Sequence, residues 1–173
     1  MSKFEESVEY ILENEGVYSV DHAGPTKYGI ILDVLKQEGE AGDIDRDGDV
    51  DYDDIRKLTI DDAKRVYRNQ WWDRYGYHRF ESQIIATKVF DTAVNMGPYQ
   101  AHKILQRALC ACGEKVTIDG KLGTLTLEAS NRTPYTMLIA ALRSEAAGVY
   151  RMIIQKHPDY QQFETGWLRR AYR

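Results

Sequence analysis

The sequence is poor in the residue types that would assign it at once to a disulfide-rich, metal-knuckle or fibrous class. Its 173 residues include two cysteines and four prolines. The cysteines form a Cys-x-Cys pair, Cys110 and Cys112, which has neither the spacing of a zinc knuckle nor that of a thioredoxin-type motif. The 43% hydrophobic and 29% charged content excludes a disordered or collagen-like chain. We therefore expect one globular domain with two reduced, structural thiols.

Long apolar runs and an excess of positive charge are also missing. No stretch approaches the ~18 apolar residues of a membrane-spanning helix, and residues 1–6 do not begin a cleavable signal. The net charge is −4, and residues 43–54 alone hold seven aspartates and one arginine. The remainder of the chain is therefore slightly positive. This distribution argues against nucleic acid as a partner and points to a cation at the acidic segment.

The hydrophobic pattern predicts a mostly α-helical domain spanning residues 1–173. Apolar residues recur at helical spacing. Ser2 with Glu5 has the spacing of a capping box, and Thr59 with Asp62 resembles a further N-cap. The predicted helices cover residues 2–15, 30–38, 60–72, 82–95, 99–111, a short stretch from Thr124, and 134–156.

Two regions are expected along the chain. Glycines in residues 16–29 predict a loop or short hairpin after the first helix. The hairpin and the acidic segment fall in an N-terminal lobe, residues 1–75. The remaining residues, 76–173, form a helical body.

The acidic segment follows the register of an EF-hand calcium loop. Such a loop has oxygen ligands at positions 1, 3, 5, 7, 9 and 12 and glycine at position 6. Counted from the first aspartate, the glycine position holds Gly48 and position 12 holds Asp54, as in dockerin modules, where other loops have glutamate. A single loop favours a structural calcium ion over a calcium sensor, and a solvated acidic loop is the alternative. The predicted metal residues are Asp43, Asp45, Asp47, Asp49 (through its backbone carbonyl) and Asp54.

A carboxyl group ends the apolar face of the first helix. Glu15 follows Ile11 and Leu12 at helical spacing. Burial and the helix C-terminus both disfavour a charged carboxylate, which suits a general acid, although a glutamate at this position can also turn to solvent. Asp21 and Thr26 follow in the glycine-containing loop. Glycoside hydrolysis uses two carboxyl groups, and a threonine hydroxyl can hold the attacking water.

Residues 11–30 resemble the N-terminal signature of the phage and bacterial lysozymes of glycoside hydrolase family 108. That signature runs Glu-Gly-Gly-Tyr, a loop, Asp, and then Gly-Ala-Thr-Lys-Tyr-Gly-Ile. The similarity continues in residues 58–72, 84–128 and 163–168. It leaves out residues 36–57, so the acidic segment is an insertion relative to that family.

The resemblance implies a lysozyme-like helical fold and an endolysin-type N-acetylmuramidase. Such an enzyme cuts the β-1,4 bond between N-acetylmuramic acid and N-acetylglucosamine in bacterial peptidoglycan. Glu15 matches the catalytic glutamate, and Asp21 and Thr26 match the aspartate and threonine of the catalytic set. Residues 119–123 resemble a turn of peptidoglycan-binding domains, with a plain helix connector as the alternative. The resemblance also implies synthesis in the bacterial cytoplasm and release through a membrane pore. We expect a monomer.

Departures from the signature leave two questions open. Val17 replaces the second glycine, and the loop from Glu15 to Asp21 is shorter than in the family. Asp21 is therefore a general base or a stabilising carboxylate, with His22 as the nearest alternative. Inverting and retaining enzymes differ in carboxyl separation, about 6.5–9.5 Å against about 5–5.5 Å. The same departures keep a second hypothesis, an inactive calcium-dependent wall-binding module. In either case we expect calcium to fix the inserted segment beside the active-site lobe.

Three further residues are predicted to contact substrate. Tyr28 lies within the signature. Asn95, just before Gly97, is either a helix cap or a contact to a sugar acetamido group. Trp71 and Trp72 are adjacent and face different directions, so one is expected in the core and the other on a sugar ring. Trp72 is predicted to be the sugar contact.

Overall fold

The structure is a computed structural model that describes residues 1–15, 18–21 and 24–173. In these ranges the chain forms nine α-helices and one antiparallel pair of strands, which confirms the predicted mostly helical class. None of the described helices is long and apolar enough to cross a membrane. The elements are α1 (Phe4–Asn14), β1 (Tyr18–Asp21), β2 (Gly24–Lys27), α2 (Leu32–Lys36), α3 (Tyr52–Lys57), α4 (Ile60–Tyr67), α5 (Gln83–Met96), α6 (Pro98–Ala111), α7 (Thr124–Arg132), α8 (Tyr135–Lys156) and α9 (Glu164–Tyr172).

The described contacts divide the chain into two compact units. The N-terminal unit contains residues 3–78. The C-terminal unit contains residues 1–2 and 79–173. The division falls a few residues after the predicted end of the N-terminal lobe.

The core of the N-terminal unit forms around the apolar face of α1. Phe4, Val8 and Ile11 recur at helical spacing and are all buried. The ring of Phe4 meets the edge of the Trp72 ring at 5.7 Å, and Trp72 in turn meets Tyr77 at 6.1 Å. These aromatic contacts tie the first helix of the unit to its last residues.

Of the two predicted helix caps, the one at Thr59 is confirmed. The Thr59 side chain accepts from the backbone N–H of Asp62, and the Asp62 side chain accepts from the backbone N–H of Thr59. The prediction for Ser2 is wrong, because α1 begins at Phe4 with Lys3 as N-cap and without a side-chain cap. The backbone N–H of Ser2 instead donates to the carbonyl of Phe80 at 2.9 Å.

Helix α9, at the end of the C-terminal unit, is held by a buried ion pair. Arg170 binds the carboxylate of Asp91 on α5 at 2.9 Å, and Asp91 is 1% exposed. The ammonium of Lys88 donates to the backbone carbonyl of Arg170 at 2.6 Å, and burial lowers the pKa of Lys88 to about 8. Removing one member of such a pair leaves a buried charge without its partner, so this contact fixes α9 on α5.

The connector of residues 119–123 is held by Gln106 on α6. The Gln106 amide oxygen accepts from the backbone N–H of Gly120 at 2.8 Å, and its amide nitrogen donates to Asp119 at 2.8 Å. Gly120 has a φ of 75°, and a Cβ at this position would lie 2.4 Å from the ring of Tyr99. The local contacts are those of a tight helix connector.

Candidate active site and metal site

Glu15 lies where α1 ends. Its backbone N–H donates to the carbonyl of Ile11 at 3.0 Å, and its own extended backbone turns the chain out of the helix. Ile11 is fully buried, whereas Glu15 is half-buried. The carboxyl group therefore lies at the boundary between core and solvent, where it can reach a bound molecule.

The side chains of Glu15 and Tyr67 converge on Gly29. A Cβ at Gly29 would lie 2.5 Å from the Tyr67 hydroxyl, 2.9 Å from Cγ of Glu15 and 3.0 Å from its Oε2. The Tyr67 hydroxyl donates to the backbone carbonyl of Tyr28 at 2.9 Å, which fixes the turn after β2. Tyr28 and Gly29 both have positive φ, 51° and 76°. Only a residue without a side chain fits where Glu15 and Tyr67 approach the backbone this closely.

We expect Gly29→Ala to displace Glu15 and to lower both stability and activity. The new methyl group would overlap Tyr67 and Glu15, and its positive φ adds strain of about 1–3 kcal/mol. A displacement of about 1 Å in a catalytic group costs about 100-fold in rate. Gly39→Ala is the matched control, because Gly39 also has a positive φ, 60°, but nothing lies within 4 Å of its Cβ position. Thermal melts and hydrolysis rates of both variants check this. Wild-type activity in Gly29→Ala would contradict it.

Thr26 and Asp21 lie on the two strands that follow Glu15. Thr26 is half-buried on β2 and faces Ser19 in the antiparallel register. Asp21 ends β1 opposite Gly24. The side chain of Asp21 and residues 16–17 and 22–23 lie outside the described residues, and so do the predictions made for Val17 and His22.

The predicted sugar contacts have different positions. Trp72 is 2% exposed among other aromatic rings, which leaves no face for a sugar and assigns it to the core. Trp71 is half-buried and packs on Tyr67 at 5.4 Å. Tyr28 is half-buried and directly precedes Gly29 in the turn described above. The exposed Asn95 is in the C-terminal unit, and its side-chain oxygen accepts from the Tyr150 hydroxyl at 2.6 Å.

The acidic loop is closed by two of its own carboxylates. Asp43 accepts from the backbone N–H groups of Arg46, Asp47 and Gly48 at 2.6, 3.2 and 3.0 Å. Asp54, which is 1% exposed, accepts from the backbone N–H groups of residues 44, 45 and 51 at 2.6, 3.1 and 2.8 Å. The first and last positions of the predicted loop therefore hold its backbone together.

Six aspartates of the loop fall into two groups, and the members of each group lie close enough to share a cation. One oxygen from each of Asp43, Asp45 and Asp47 lies within 4.8 Å of the others, and Asp49, Asp51 and Asp54 form a second such group. The negative charge of Asp47 raises the pKa of Asp49 above its usual value.

Asp45 has a carboxylate oxygen that the loop itself does not satisfy. The Asp45 side chain is 10% exposed, and its Oδ2 is paired with Lys57 at 2.5 Å. Its Oδ1 is buried and has no hydrogen-bond partner among the described residues. A buried carboxylate oxygen without a partner is costly, and a bound cation would remove that cost.

The acidic segment is packed against the strands that follow Glu15. Helix α3 begins within this segment, and its Tyr52 ring lies 2.7 Å from the Cβ position of Gly24 on β2. The Lys27 ammonium donates to the backbone carbonyl of Arg56 on α3 at 2.7 Å. The roles of Tyr52, Arg56 and Tyr67 cannot be predicted from the sequence, because they depend on contacts between distant residues. The glycine spacing of residues 24–29 is the one local sign of close packing.

Comparison with known proteins agrees with this geometry. Residues 8–97 match the Glycosyl hydrolase 108 family, and residues 100–172 match a family described as "Predicted Peptidoglycan domain". A solved structure, "Structure of Brucella abortus SagA", has the same fold with a TM-score of 0.75 and 24% identity, over 97% of this chain and 88% of that one. No curated protein matches.

The first family match covers more than half of the chain, so the protein belongs to glycosyl hydrolase family 108. It is a glycosidase, and the second match makes peptidoglycan its partner.

Proposed function

We propose that the protein is an N-acetylmuramidase with Glu15 as its general acid. It would cut the β-1,4 bond between N-acetylmuramic acid and N-acetylglucosamine. The supporting observation is the position of Glu15 at the end of a helix whose apolar face is buried, where its side chain meets Gly29 beside the Tyr67 hydroxyl. A half-buried carboxyl that packs on the backbone is oriented without being closed off from substrate.

The chemistry of glycoside hydrolysis gives Glu15, Asp21 and Thr26 the following roles. Glu15 gives its proton to the glycosidic oxygen as the bond to the anomeric carbon breaks. A water held by the Thr26 hydroxyl adds to that carbon, and its proton passes to Asp21. If the carboxyl groups lie closer together, Asp21 instead stabilises the positively charged sugar, and the carboxylate left on Glu15 takes the proton of the water. Tyr67 acts through Glu15 and the Tyr28 carbonyl, as a positioning residue.

Trp71 takes the role that the sequence analysis gave to Trp72. It is half-buried and its ring rests on Tyr67, whose hydroxyl lies beside the Gly29 position that Glu15 also approaches. A sugar ring that stacks on Trp71 would therefore lie near the proposed acid.

We further propose that the acidic loop holds a structural calcium ion. The donor set is made of hard oxygen ligands, which Ca²⁺ prefers, and the buried Oδ1 of Asp45 has no partner without an ion. Asp43, Asp45, Asp47 and Asp54 would supply carboxylates, and Asp49 its backbone carbonyl. The ion would offset the repulsion of the clustered aspartates and would take no part in bond cleavage.

Digestion of purified peptidoglycan in the presence of calcium tests the bond assignment. We expect soluble fragments that end in reducing N-acetylmuramic acid, identified by mass spectrometry. Fragments that end in reducing N-acetylglucosamine would show that the protein is a glycosidase but cuts the other bond of the glycan, which would refute the bond assignment. A folded protein that binds the wall and releases nothing would favour the inactive binding module.

A further inference from the structure

A groove of about 330 Å³ lies within the C-terminal unit, and none of the residues assigned above to catalysis or to calcium lines it. Its walls come from the end of α5, from α6, from the second half of α8 and from α9. Its polar lining includes Asn95, Gln100, Arg107 and Lys156. The volume is in the range of small-ligand sites, and the lining residues are carried by helices.

The groove is positively charged. Arg107 and Lys156 line it, and no aspartate or glutamate does. Neither cation forms an ion pair within the described part of the chain. A groove with two unpaired cations and no carboxylate attracts a ligand that carries negative charge.

One wall of the groove is aromatic. Trp167 stacks on Phe163 at 5.7 Å with 22° between the rings, and it packs on Tyr150 at 5.3 Å. Tyr160 meets the edge of Trp167 at 5.8 Å. Of these rings, Trp167 and Tyr150 line the groove, and Phe163 and Tyr160 pack on Trp167 from outside the lining. A rigid aromatic wall offers apolar surface to the C–H groups of a sugar ring.

Asn95 adds an oriented hydrogen-bond donor. Its side-chain oxygen is occupied by the Tyr150 hydroxyl at 2.6 Å, so its amide nitrogen is the group available to a ligand. An amide donor, two cations and an aromatic face together match an acetylated sugar that carries carboxylates. Peptidoglycan supplies this combination where an acidic stem peptide is attached to N-acetylmuramic acid.

We propose that this groove binds the stem-peptide-bearing sugar of peptidoglycan, with Arg107 and Lys156 on the stem carboxylates and Trp167 against the sugar. The inference rests on the proposed function, because it takes the same polymer as ligand. It adds a contact to the wall through residues other than those assigned to hydrolysis.

Calorimetry with a disaccharide-tetrapeptide tests this inference without hydrolysis, because that fragment lacks the bond between N-acetylmuramic acid and the next sugar. The full chain should bind it. The double variant Arg107→Gln with Lys156→Gln should bind about tenfold or more weakly. Lys103→Gln is the matched control, since Lys103 lies on the same helix α6 but outside the groove lining. Melting curves confirm that all variants are folded.

Two further ligands test how much of the binding depends on the stem carboxylates. Amidation of the stem carboxylates should weaken binding as much as the double variant does, and di-N-acetylchitobiose, which has no carboxylate, should bind least. Equal binding by wild type and double variant, or tighter binding of a phosphate-bearing wall polymer, would overturn the inference. Groove-dependent binding by a protein that releases no fragments would instead refute the proposed hydrolysis and leave the groove assignment standing.

Discussion

Replacing Glu15 with glutamine is expected to lower peptidoglycan hydrolysis by at least about 100-fold, and by up to about 10,000-fold, the range that a general acid contributes. Glutamine keeps the shape of the side chain and its packing against Gly29 and Tyr67, but its amide cannot give a proton to the glycosidic oxygen. The melting temperature should therefore change little while the rate falls. The initial rate of reducing-end release from purified peptidoglycan, with calcium present, measures the effect.

A matched substitution on α1 distinguishes the loss of a proton donor from the loss of a carboxyl group elsewhere on the surface. Glu9 is exposed on α1 and points away from the buried face, so Glu9→Gln removes the same charge without touching the site. We expect this control to hydrolyse at the wild-type rate. If Glu15→Gln retained comparable activity, the general acid would have to be another residue, and the enzyme assignment would lose its central observation.

The parts of the molecule that follow from local spacing could be predicted from the sequence. The helical class is confirmed, and the Thr59 capping box is observed because both of its partners lie within three residues. The predicted calcium loop depends on spacing in the same way, and its first and last aspartates do close the loop backbone. Periodicity and short motifs describe contacts between near neighbours, which is why the helices and the Thr59 cap could be predicted. The calcium ion itself stays a prediction.

The features of the fold that the sequence did not predict depend on the three-dimensional structure around them. The predicted α-helix of residues 60–72 becomes a π-helix over Arg68–Asp73. The wider turn rotates the following side chains away from a 3.6-residue period, so periodicity could not tell which tryptophan faces the core. Arg170 binds Asp91, which lies 79 residues earlier in the chain, a separation that no local pattern covers. The backbone N–H of Ser2 likewise donates to the carbonyl of a distant residue, Phe80.

Calcium is expected to raise the melting temperature of the protein by about 5–10 °C over the value in chelator. At a concentration about 100 times Kd, a ligand adds about 2.7 kcal/mol to the free energy of unfolding, and each kcal/mol shifts the melting temperature by about 2–4 °C at this chain length. Asp45→Asn should remove the shift, because it deletes the charge of a carboxylate whose Oδ1 is buried and unpartnered, and keeps the size of the side chain. Paired thermal melts in calcium and in chelator give the result.

Asp53→Asn is the control for this loss of charge, since Asp53 lies in the same segment but is exposed, outside the proposed ligands and paired with Arg56. It should keep the full calcium shift. A wild-type melting temperature that is the same in calcium and in chelator would refute the site.

The loop's helix α3 packs through Tyr52 and Arg56 on β2, and β2 carries Thr26. Chelator should therefore also slow hydrolysis by the wild type, and it should have no further effect on Asp45→Asn. Calcium would then act on the rate only through the position of the strand that holds the attacking water.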